Sequence, residues 1–387
     1  MRLEQEERRL LLETVDRLVA HVVEPRAQAI DESAEFPRDV YSAMAEADLF
    51  RLWVPEEYGG IETDLLTVLL VTERIARVSG ACSLIFSNCG DGTRPIVLGG
   101  SDEVKEAHLP GIAAGHVIPA YALTEPDAGS DAAAIASRAR RHDDGWRISG
   151  RKQFITNGSV ADVAAVFAVT DPAAGRRGIS AFLVARDAVG FTVGHDEELL
   201  GLRGAPATEL ALDDTPGTLL GEEGAGFELA LEPLDHARLT ASAMALGVAR
   251  GALERAVQYA KERVQFGRPI VEHQGLEFLL AERATDLAAA WALVEKAAAL
   301  VERGRSYDAS TYAAMAKLTA TDAAMQIALD AVQVFGGYGL TRDFQVERML
   351  RDVKAFQIFD GTNQIQKLMI GRHLRKSGLL VDVDGMR

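Results

Sequence analysis

The segment YALTEPDAGSD (Tyr121–Asp131) combines groups that can hold a planar ligand. Gly129 and Ser130 offer backbone N–H groups and a hydroxyl in a turn, and Thr124 adds a second hydroxyl beside the apolar Leu123. Such a loop can hydrogen-bond the edge of a heterocycle. The same composition is common in surface turns capped by Asp and Ser, so this segment alone leaves both interpretations open.

A second segment, KQFITNG (Lys152–Gly158), predicts a strand that ends in an Asn-Gly turn. Phe154 can cover the face of a planar ring while the hydroxyl of Thr156 bonds to its edge. An ordinary hairpin strand has the same pattern, and for this segment by itself that alternative is at least as good.

Two later segments offer a fixed cation and a closely approaching backbone. In ERVQFGRPI (Glu262–Ile270), Arg263 suits a pyrophosphate and Phe266 adds an apolar plate at a broken helix end. In AVQVFGGYGL (Ala331–Leu340), consecutive glycines let the backbone come close to a ligand. The alternatives are an arginine that offsets a helix dipole and a glycine that ends a helix.

The last segment, IFDGTNQIQ (Ile358–Gln366), places the carboxylate of Asp360 directly before Gly-Thr and two amides. Each of the five segments is weak evidence when taken singly. Their order and spacing along one chain carry more information than any of them alone.

These segments lie in three regions of the chain that differ in their pattern of apolar and turn-forming residues. Residues 1–119 predict helices, because apolar residues recur three or four positions apart between turn signals. Residues 120–233 contain short apolar runs, AAVFAVT (Ala164–Thr170) and ISAFLVA (Ile179–Ala185), between Gly, Asp and Pro clusters, which predicts a β domain. Residues 234–387 are Ala-rich and periodic, which predicts a helical bundle.

The order of these regions disfavours a Rossmann sheet. No βαβ alternation is present, and the glycine-rich stretch GEEGAGF (Gly221–Phe227) has the wrong spacing for dinucleotide binding. In the last region, one helical face is predicted to carry Leu253, Val257, Ala260 and Val264.

The composition excludes several classes of function. The 387 residues carry 41 Lys+Arg against 57 Asp+Glu, a formal net charge of −16, which argues against binding of nucleic-acid backbones. Cys82 and Cys89 are too few for a disulfide framework, and their spacing fits no common metal motif. The N-terminus lacks the apolar run of a signal peptide, and no stretch approaches the roughly 20 apolar residues of a membrane span. We therefore expect a soluble cytoplasmic protein without metal, nucleic acid or membrane insertion.

In their order and spacing, the five segments resemble the signature set of the FAD-dependent acyl-CoA dehydrogenases over essentially the whole chain. The resemblance implies a mainly α fold with a central β-barrel. Its three domains would be an N-terminal helical domain (1–119), a middle β-barrel domain (120–233) and a C-terminal four-helix bundle (234–387). It also implies FAD as cofactor, acyl-CoA as substrate, electron-transfer flavoprotein as electron acceptor, and a homodimer or homotetramer.

The resemblance assigns roles to residues by position. Contacts with FAD are implied for Leu123, Thr124, Gly129, Ser130, Phe154, Thr156, Thr362 and Gln364. Contacts with the FAD of a neighbouring subunit are implied for Arg263, Phe266, Gln333 and Gly337. The CoA-thioester channel is matched by Ser130, Asp235, Arg238 and Gly361.

In the reaction that the resemblance implies, a proton is removed from Cα while a hydride leaves Cβ for flavin N5. Most relatives use a Glu in the motif YEGT as the base, whereas this chain has FDGT, so Asp360 holds the position. Asp is one methylene shorter, and a misplacement of about 1 Å can cost on the order of 10²-fold in rate. Other relatives carry the base just before the channel arginine, where this chain has Ala237. We expect Asp360 to be the base, and its N–H and a ribityl hydroxyl to hold the thioester oxygen.

Asp91, in SNCGDGTRP, falls where relatives usually show an apolar residue on the wall of the acyl pocket. It is either an Asx-type turn residue beside Gly90 and Gly92, or a polar or catalytic contact to the far end of a short or cyclic acyl group. Relatives acting on alicyclic acyl-CoAs can use a wall aspartate to take a proton at a position away from Cα. Together with Gly99, the two glycines are expected to make this stretch small and adaptable. We therefore expect a short, α-branched or alicyclic acyl-CoA.

Two alternative functions stay open at the level of sequence. A flavin oxidase similar to nitroalkane oxidase also carries Asp at the base position, although Arg238 and Ser130 match the thioester channel. A non-catalytic relative that binds acyl-CoA would take up CoA esters without bleaching the flavin.

Overall fold

The computed structural model describes residues 5–304 and 306–380 and divides into two compact units. The first comprises Met1–Asp64 and Ala81–Leu234, and the second comprises Leu65–Gly80 and Asp235–Arg387. One short piece of the N-terminal region therefore groups with the C-terminal helices.

Helices fill the N-terminal region, as the apolar periodicity predicts. In chain order they are α1 (Gln5–Leu18), α2 (Glu24–Ser33), α3 (Arg38–Glu46), α4 (Leu65–Ala76), α5 (Gly80–Gly99) and α6 (Asp102–Ala113). The N-terminus of α6 is capped by Ser101, whose hydroxyl accepts the N–H of Val104 at 3.4 Å. The helix α4 and the first residue of α5 belong to the second unit, and the rest of these helices belongs to the first.

Seven strands of the first unit form a barrel. They are β1 (Pro119–Ala122), β2 (Arg138–His142), β3 (Gly145–Thr156), β4 (Val163–Val169), β5 (Ile179–Ala185), β6 (Phe191–Asp196) and β7 (Ala207–Leu220). They pair in the order β1-β4-β2-β3-β7-β5, with β6 added to β7, and a further antiparallel pairing of β4 with β5 closes the ring.

The apolar runs predicted as strands are β4 and β5, and nearly every residue in them is buried. Ala164 and Val166 pack in one apolar cluster with Leu210, while Ala165 and Phe167 pack in another that includes residues of α5 and α6. Both faces of the strand are therefore covered, which explains why its sequence is apolar throughout instead of alternating.

The described residues after β7 are mainly helical and include one small hairpin. Its elements are α7 (Gly226–Leu231), α8 (Leu234–Glu262), β8 (Val264–Gln265), β9 (Arg268–Pro269), α9 (Gln274–Glu302), α10 (Tyr307–Phe335), α11 (Val346–Phe356) and α12 (Asn363–Ser377). The helices α4, α8, α9 and α10 share one apolar core, which contains Leu69, Leu246, Val294 and Ala316. The predicted helical position of Val264 is wrong, because α8 ends at Glu262 and a tight turn reverses the chain into β9.

No helix in the described part of the chain is long and apolar enough to cross a membrane. Cys82 and Cys89 are both buried thiols. Over residues 5–304 and 306–380, no cluster of His, Cys, Asp and Glu side chains is arranged to hold a metal ion.

Candidate active site

Asp360 lies in the turn that joins α11 to α12. Its φ is +52° and that of Gly361 is +82°, which are backbone angles that Asp and Gly tolerate better than most residues do. The hydroxyl of Thr362 accepts the N–H of Ile365 at 3.3 Å and caps α12. Residues other than glycine at positive φ are strained, and such residues cluster at functional sites.

Buried side chains hold the carbonyl groups of this turn. The Nε2 of Gln366 donates to the carbonyl oxygens of Asp360 (3.3 Å) and Gly361 (2.7 Å). The Nζ of Lys317, on α10, donates to the carbonyl of Gly361 at 2.9 Å and to the Oδ1 of Asn363 at 3.1 Å. Because Gln366 and Lys317 are both 0% exposed, the turn is fixed from its buried side.

The atoms of Asp360 that could react remain free. Among the described residues, neither its N–H nor its carboxylate has a hydrogen-bond partner. Burial raises the pKa of Asp360 to about 6, and the cations Lys317 and Arg238 oppose that rise. Burial likewise lowers the pKa of Lys317 to about 8, while the charge of Asp360 acts in the opposite direction. A carboxylate with a raised pKa and no donor is suited to accept a proton near neutral pH.

Asp235 and Arg238, both predicted for the thioester channel, form a buried ion pair at the start of α8. Arg238 Nη1 lies 2.5 Å from Asp235 Oδ1, and Ser310 Oγ donates to Asp235 Oδ2 at 2.6 Å. Both carboxylate oxygens of Asp235 are thus occupied, so its visible role is to hold Arg238. Ala237, next to the arginine, is buried and offers no acid.

The predicted ring-binding segments of the first unit lie side by side. The N–H of Gln153 donates to the carbonyl of Thr124 at 2.9 Å, which joins the TEP segment to β3. Phe154 sits at an irregularity in the pairing of β3 with β7, with φ +56° and its ring 57% exposed. The hydroxyls of Thr124 and Thr156 have no hydrogen-bond partner over the described ranges. An exposed aromatic ring and two hydroxyls without partners, on segments joined by a hydrogen bond, are suitable groups for contact with a planar cofactor such as a flavin.

The other predicted residues of these segments differ in how exposed they are. Leu123 is buried in the core, whereas Gly129 and Ser130 are exposed beyond a bridge that pairs Glu125 with Ala128. The segment KQFITNG does lie on a hairpin strand, because β3 pairs antiparallel with β2 across a two-residue turn. Its Asn-Gly turn does not form a second hairpin, since β3 pairs with β2 and β7 and not with β4, the next strand along the chain.

A buried ion pair that the sequence did not reveal lies beneath these segments. Lys152 Nζ donates to Glu125 Oε1 at 2.7 Å and to the carbonyls of Phe167 (2.6 Å) and Leu123 (3.3 Å). Glu125 also accepts the N–H groups of the residues before β2, at 2.6 and 3.1 Å. The pair therefore fixes the TEP segment against β3.

Asp91 lies within α5, so its interpretation as an Asx-type turn residue is wrong. A Cβ atom at Gly90 would lie 2.5 Å from the ring of Trp53, and one at Gly92 would lie 2.9 Å from the carbonyl carbon of Pro119. The expectation that these glycines make the stretch adaptable is therefore also wrong, because they permit close packing on two sides. Asp91 is half-buried between them.

Arg263 and Phe266 belong to the hairpin after α8. Phe266 and Gly267 form its two-residue turn with φ of +52° and +80°, as in a type I′ turn, and the Phe266 ring is 96% exposed. The guanidinium of Arg263 lies 5.9 Å from the centre of the Tyr338 ring, and it pairs with no carboxylate in the part of the chain that the structure describes.

Gln333 and Gly337 are exposed at the end of α10 and in the turn that follows it. Because Tyr338 follows Gly337 directly, Arg263 and Gly337 share one exposed region. Gln364 is exposed, and the hydroxyl of Thr362 is already used as a helix cap.

Lys317 and Lys152 carried signals that sequence reasoning missed. Lys317 interrupts an apolar stripe of α10 formed by Ala313, Ala320 and Ala324, and Lys152 follows the inward-facing Ile148 at an even spacing in β3. A charged residue at a predicted core position is buried only with partners, so such a position can mark a functional network.

Three protein-family models together match nearly the whole chain. The model described as "Acyl-CoA dehydrogenase, N-terminal domain" matches residues 5–116, the middle-domain model matches residues 120–215, and the C-terminal-domain model matches residues 224–375.

Individual proteins agree with the family models. An acyl-CoA dehydrogenase from Bacillus subtilis (strain 168) is 45% identical over 356 residues, which cover 91% of this chain and 93% of that protein. A cyclohex-1-ene-1-carbonyl-CoA dehydrogenase from Syntrophus aciditrophicus (strain SB) is 42% identical over 373 residues, 95% of this chain and 90% of that protein. The solved butyryl-CoA dehydrogenase from Megasphaera elsdenii superposes with a TM-score of 0.93 at 34% identity, covering 97% of this chain and 100% of that chain.

Proposed function

Because this chain belongs to the acyl-CoA dehydrogenase family, we propose that Asp360 is the base that takes the Cα proton of an acyl-CoA thioester. The protein is an FAD-dependent oxidoreductase that acts on acyl-CoA. Bound FAD supplies the acceptor for the hydride that leaves Cβ. With the proton on Asp360 and the hydride removed, the Cα–Cβ single bond becomes a double bond.

One observation carries the assignment of the base. The carboxylate of Asp360 has no hydrogen-bond donor among the described residues, and burial raises its pKa to about 6. Exclusion of water by a bound substrate strengthens this effect, so the carboxylate becomes a better proton acceptor. The unused N–H of Asp360 can donate to the thioester oxygen as negative charge develops there. Gly361 supports the contact between the Asp360 N–H and the thioester oxygen by holding the backbone of the turn. We assign Arg238 and Ser130 to the thioester channel.

The FAD contacts proposed for the first unit are Leu123, Thr124, Gly129, Ser130, Phe154 and Thr156. The hydroxyls of Thr124 and Thr156, which have no partner among the residues that the structure describes, support this proposal because they can bond to the edge of a planar ring. The exposed ring of Phe154 at positive φ can cover the face of that ring.

For the acyl group we propose the short, α-branched or alicyclic class. Asp at position 360 is shorter than Glu, which leaves room for bulk at Cα. Asp91 would place a carboxylate beside the far end of the acyl group, where its polar oxygens disfavour a long row of methylenes. The name of the Syntrophus aciditrophicus relative, a cyclohex-1-ene-1-carbonyl-CoA dehydrogenase, supports the alicyclic choice.

We also propose that Arg263, Phe266, Gln333 and Gly337 contact the FAD of a neighbouring subunit in a homodimer or homotetramer. The exposed ring of Phe266 and the guanidinium of Arg263, which pairs with no carboxylate over the described ranges, support this proposal. Thr362 and Gln364 are assigned to the nucleotide side of FAD, and electron-transfer flavoprotein is the proposed electron acceptor.

The test is anaerobic mixing of the yellow holoenzyme with CoA esters, followed by turnover with a dye acceptor. We expect the ester to bleach the flavin, the dye to be reduced, and oxygen to reoxidise the flavin slowly. Rapid reoxidation by oxygen would instead indicate a flavin oxidase. Binding of esters without any bleaching would indicate a non-catalytic acyl-CoA-binding protein.

A further inference from the structure

Lys317 is a buried cation whose hydrogen bonds both go to the turn that carries Asp360. It lies in the middle of α10, is 0% exposed, and donates to the Gly361 carbonyl at 2.9 Å and to Asn363 Oδ1 at 3.1 Å. Both acceptors are neutral groups. Within the described ranges, no carboxylate lies within ion-pair distance of its Nζ.

Folding by itself does not explain a lysine at this position. Burying an ammonium group without a contacting carboxylate is costly, and replacing buried charges by apolar groups is often neutral or stabilising. The stripe around Lys317, which includes Ala313, Ala320 and Ala324, is apolar and buried, so a methionine would continue it. The ammonium group therefore serves the turn that it contacts.

We infer that Lys317 is a positioning residue for the reaction: it fixes the Gly361 carbonyl, so that the carboxylate and N–H of Asp360 stay directed at the substrate. As a cation bonded to the same turn, Lys317 has a second task, which is to favour the ionised carboxylate. This inference rests on the proposed function, because it takes Asp360 as the base. Gln366 bonds to the same carbonyl but carries no charge, so it shares only the first of these two tasks.

The charges around Asp360 support the second task. Lys317 from α10 and Arg238 from α8 both lower the pKa of Asp360 against the effect of burial. Asp322, also on α10, raises the pKa of Lys317, as Asp360 does. Charge coupling is mutual, so loss of the Lys317 charge would leave Asp360 protonated over a wider pH range.

Three substitutions separate the two tasks. Lys317→Met removes both the donor and the charge, Lys317→Gln keeps an amide donor without charge, and Lys317→Arg keeps the charge. For Lys317→Met we expect kcat to fall on the order of 10- to 100-fold with a much smaller change in KM. The acid limb of its pH–rate profile should move upward by about one unit, and that of Lys317→Arg should stay near wild type. Lys354→Met, an exposed lysine on α11, is the matched control and should leave both quantities unchanged.

A measurement independent of activity is the pH dependence of the holoenzyme Tm, compared with and without Asp360→Asn. The difference between the two curves starts to change near the unfolded pKa of Asp360 and levels off at its folded pKa. We call the pH at which it levels off the separation pH, and we expect Lys317→Met to move it upward. An unchanged separation and an unchanged kcat in folded, FAD-bearing Lys317→Met would overturn the inference.

If Lys317→Met does not fold, Lys317→Gln and Lys317→Arg decide the question. A raised separation pH in the Gln variant alone supports the inference, and equal values in both variants overturn it. Failure of the proposed function would look different. In that case no CoA ester would bleach the flavin of the wild type, while the Tm curves would still report the coupling of Lys317 to Asp360.

Discussion

Lys152 Nζ lies 2.7 Å from Glu125 Oε1, and the contact joins positions 27 residues apart in the chain with both side chains buried. Glu125 belongs to the segment of Thr124, and Lys152 belongs to the strand of Phe154. Two segments proposed to bind one cofactor are therefore joined by a charge pair in the interior and not only by surface contacts.

Lys152→Met should destabilise the protein and weaken FAD binding together. It leaves Glu125 buried without its counter-ion, and breaking a buried pair in this way costs about 3–5 kcal/mol. Urea unfolding and FAD fluorescence would measure the two effects. The matched control is Arg151→Met on the same strand, whose side chain is 73% exposed and should contribute about 1 kcal/mol or less. Equal losses in the two variants would contradict a positioning role for the pair.

Asp360→Asn should abolish nearly all reduction of the flavin by substrate. The amide keeps the shape but cannot accept a proton, and a loss of about 10²- to 10⁴-fold is expected for removal of a general base. FAD content and binding of CoA esters should be retained. Asp360→Glu should also lose activity if the substrate is held close to the shorter acid. Full turnover by the Asn variant would exclude Asp360 as the base and make Asp91 the leading candidate.

The rate of flavin reduction should rise with pH through about 6, the pKa that burial gives to Asp360, because the base must be ionised. Stability should change in the opposite direction. The pKa of Asp360 is higher in the folded than in the unfolded chain, so the folded state holds its proton more tightly between about pH 4 and 6. Relative to Asp360→Asn, the wild type should therefore lose stability as pH rises through this window. Stopped-flow rates and chemical unfolding at several pH values check both, and a flat difference between the two proteins would disprove the raised pKa.

Arg263→Ala should weaken FAD binding and subunit association together, because one cation is proposed to serve both the neighbour's cofactor and the contact between subunits. Light scattering and FAD titration measure the two properties. Arg268→Ala, in the same hairpin and also exposed, removes an equal charge and should change neither property. If both variants behave like the wild type, the charge of Arg263 only offsets the dipole of α8.

Short α-branched or alicyclic esters should give a higher kcat/KM than long straight chains. The series is butyryl, octanoyl, palmitoyl, isobutyryl, 2-methylbutyryl and cyclohexanecarboxyl-CoA, repeated on Asp91→Leu. Removal of the carboxylate should shift the preference toward longer chains. An optimum at octanoyl or longer in the wild type would refute the substrate class. If the preference for the ring ester survives Asp91→Leu, the region around Asp360 alone sets that preference.

The sequence predicted the features that are local and missed those that depend on distant partners. The strands β4 and β5 and the helices were predicted because their apolar patterns lie within single segments. The helical state of Asp91 was missed, since two neighbouring glycines and Pro95 disfavour a helix unless tertiary packing requires one. Trp53 and Pro119 provide that packing, and both are distant in sequence.

Asp360 could be predicted because its motif is contiguous, whereas its network could not. Lys317 lies 44 residues from the Gly361 carbonyl that it bonds, and nothing in either segment specifies the other. The same holds for Lys152 and Glu125. Lysines are usually exposed, so a single lysine in an Ala-rich helix is not by itself evidence of a buried network.

The close packing of Gly90 and Gly92 limits how this enzyme can diverge. A backbone fitted to Trp53 on one side and Pro119 on the other cannot slide or roll without losing one of the two fits. New acyl preferences in descendants of this chain must then arise by exchange of side chains along α5, beginning with Asp91, while the helix axis stays in place. A directed-evolution library should accordingly keep both glycines invariant and place its substitutions at the residues between and around them.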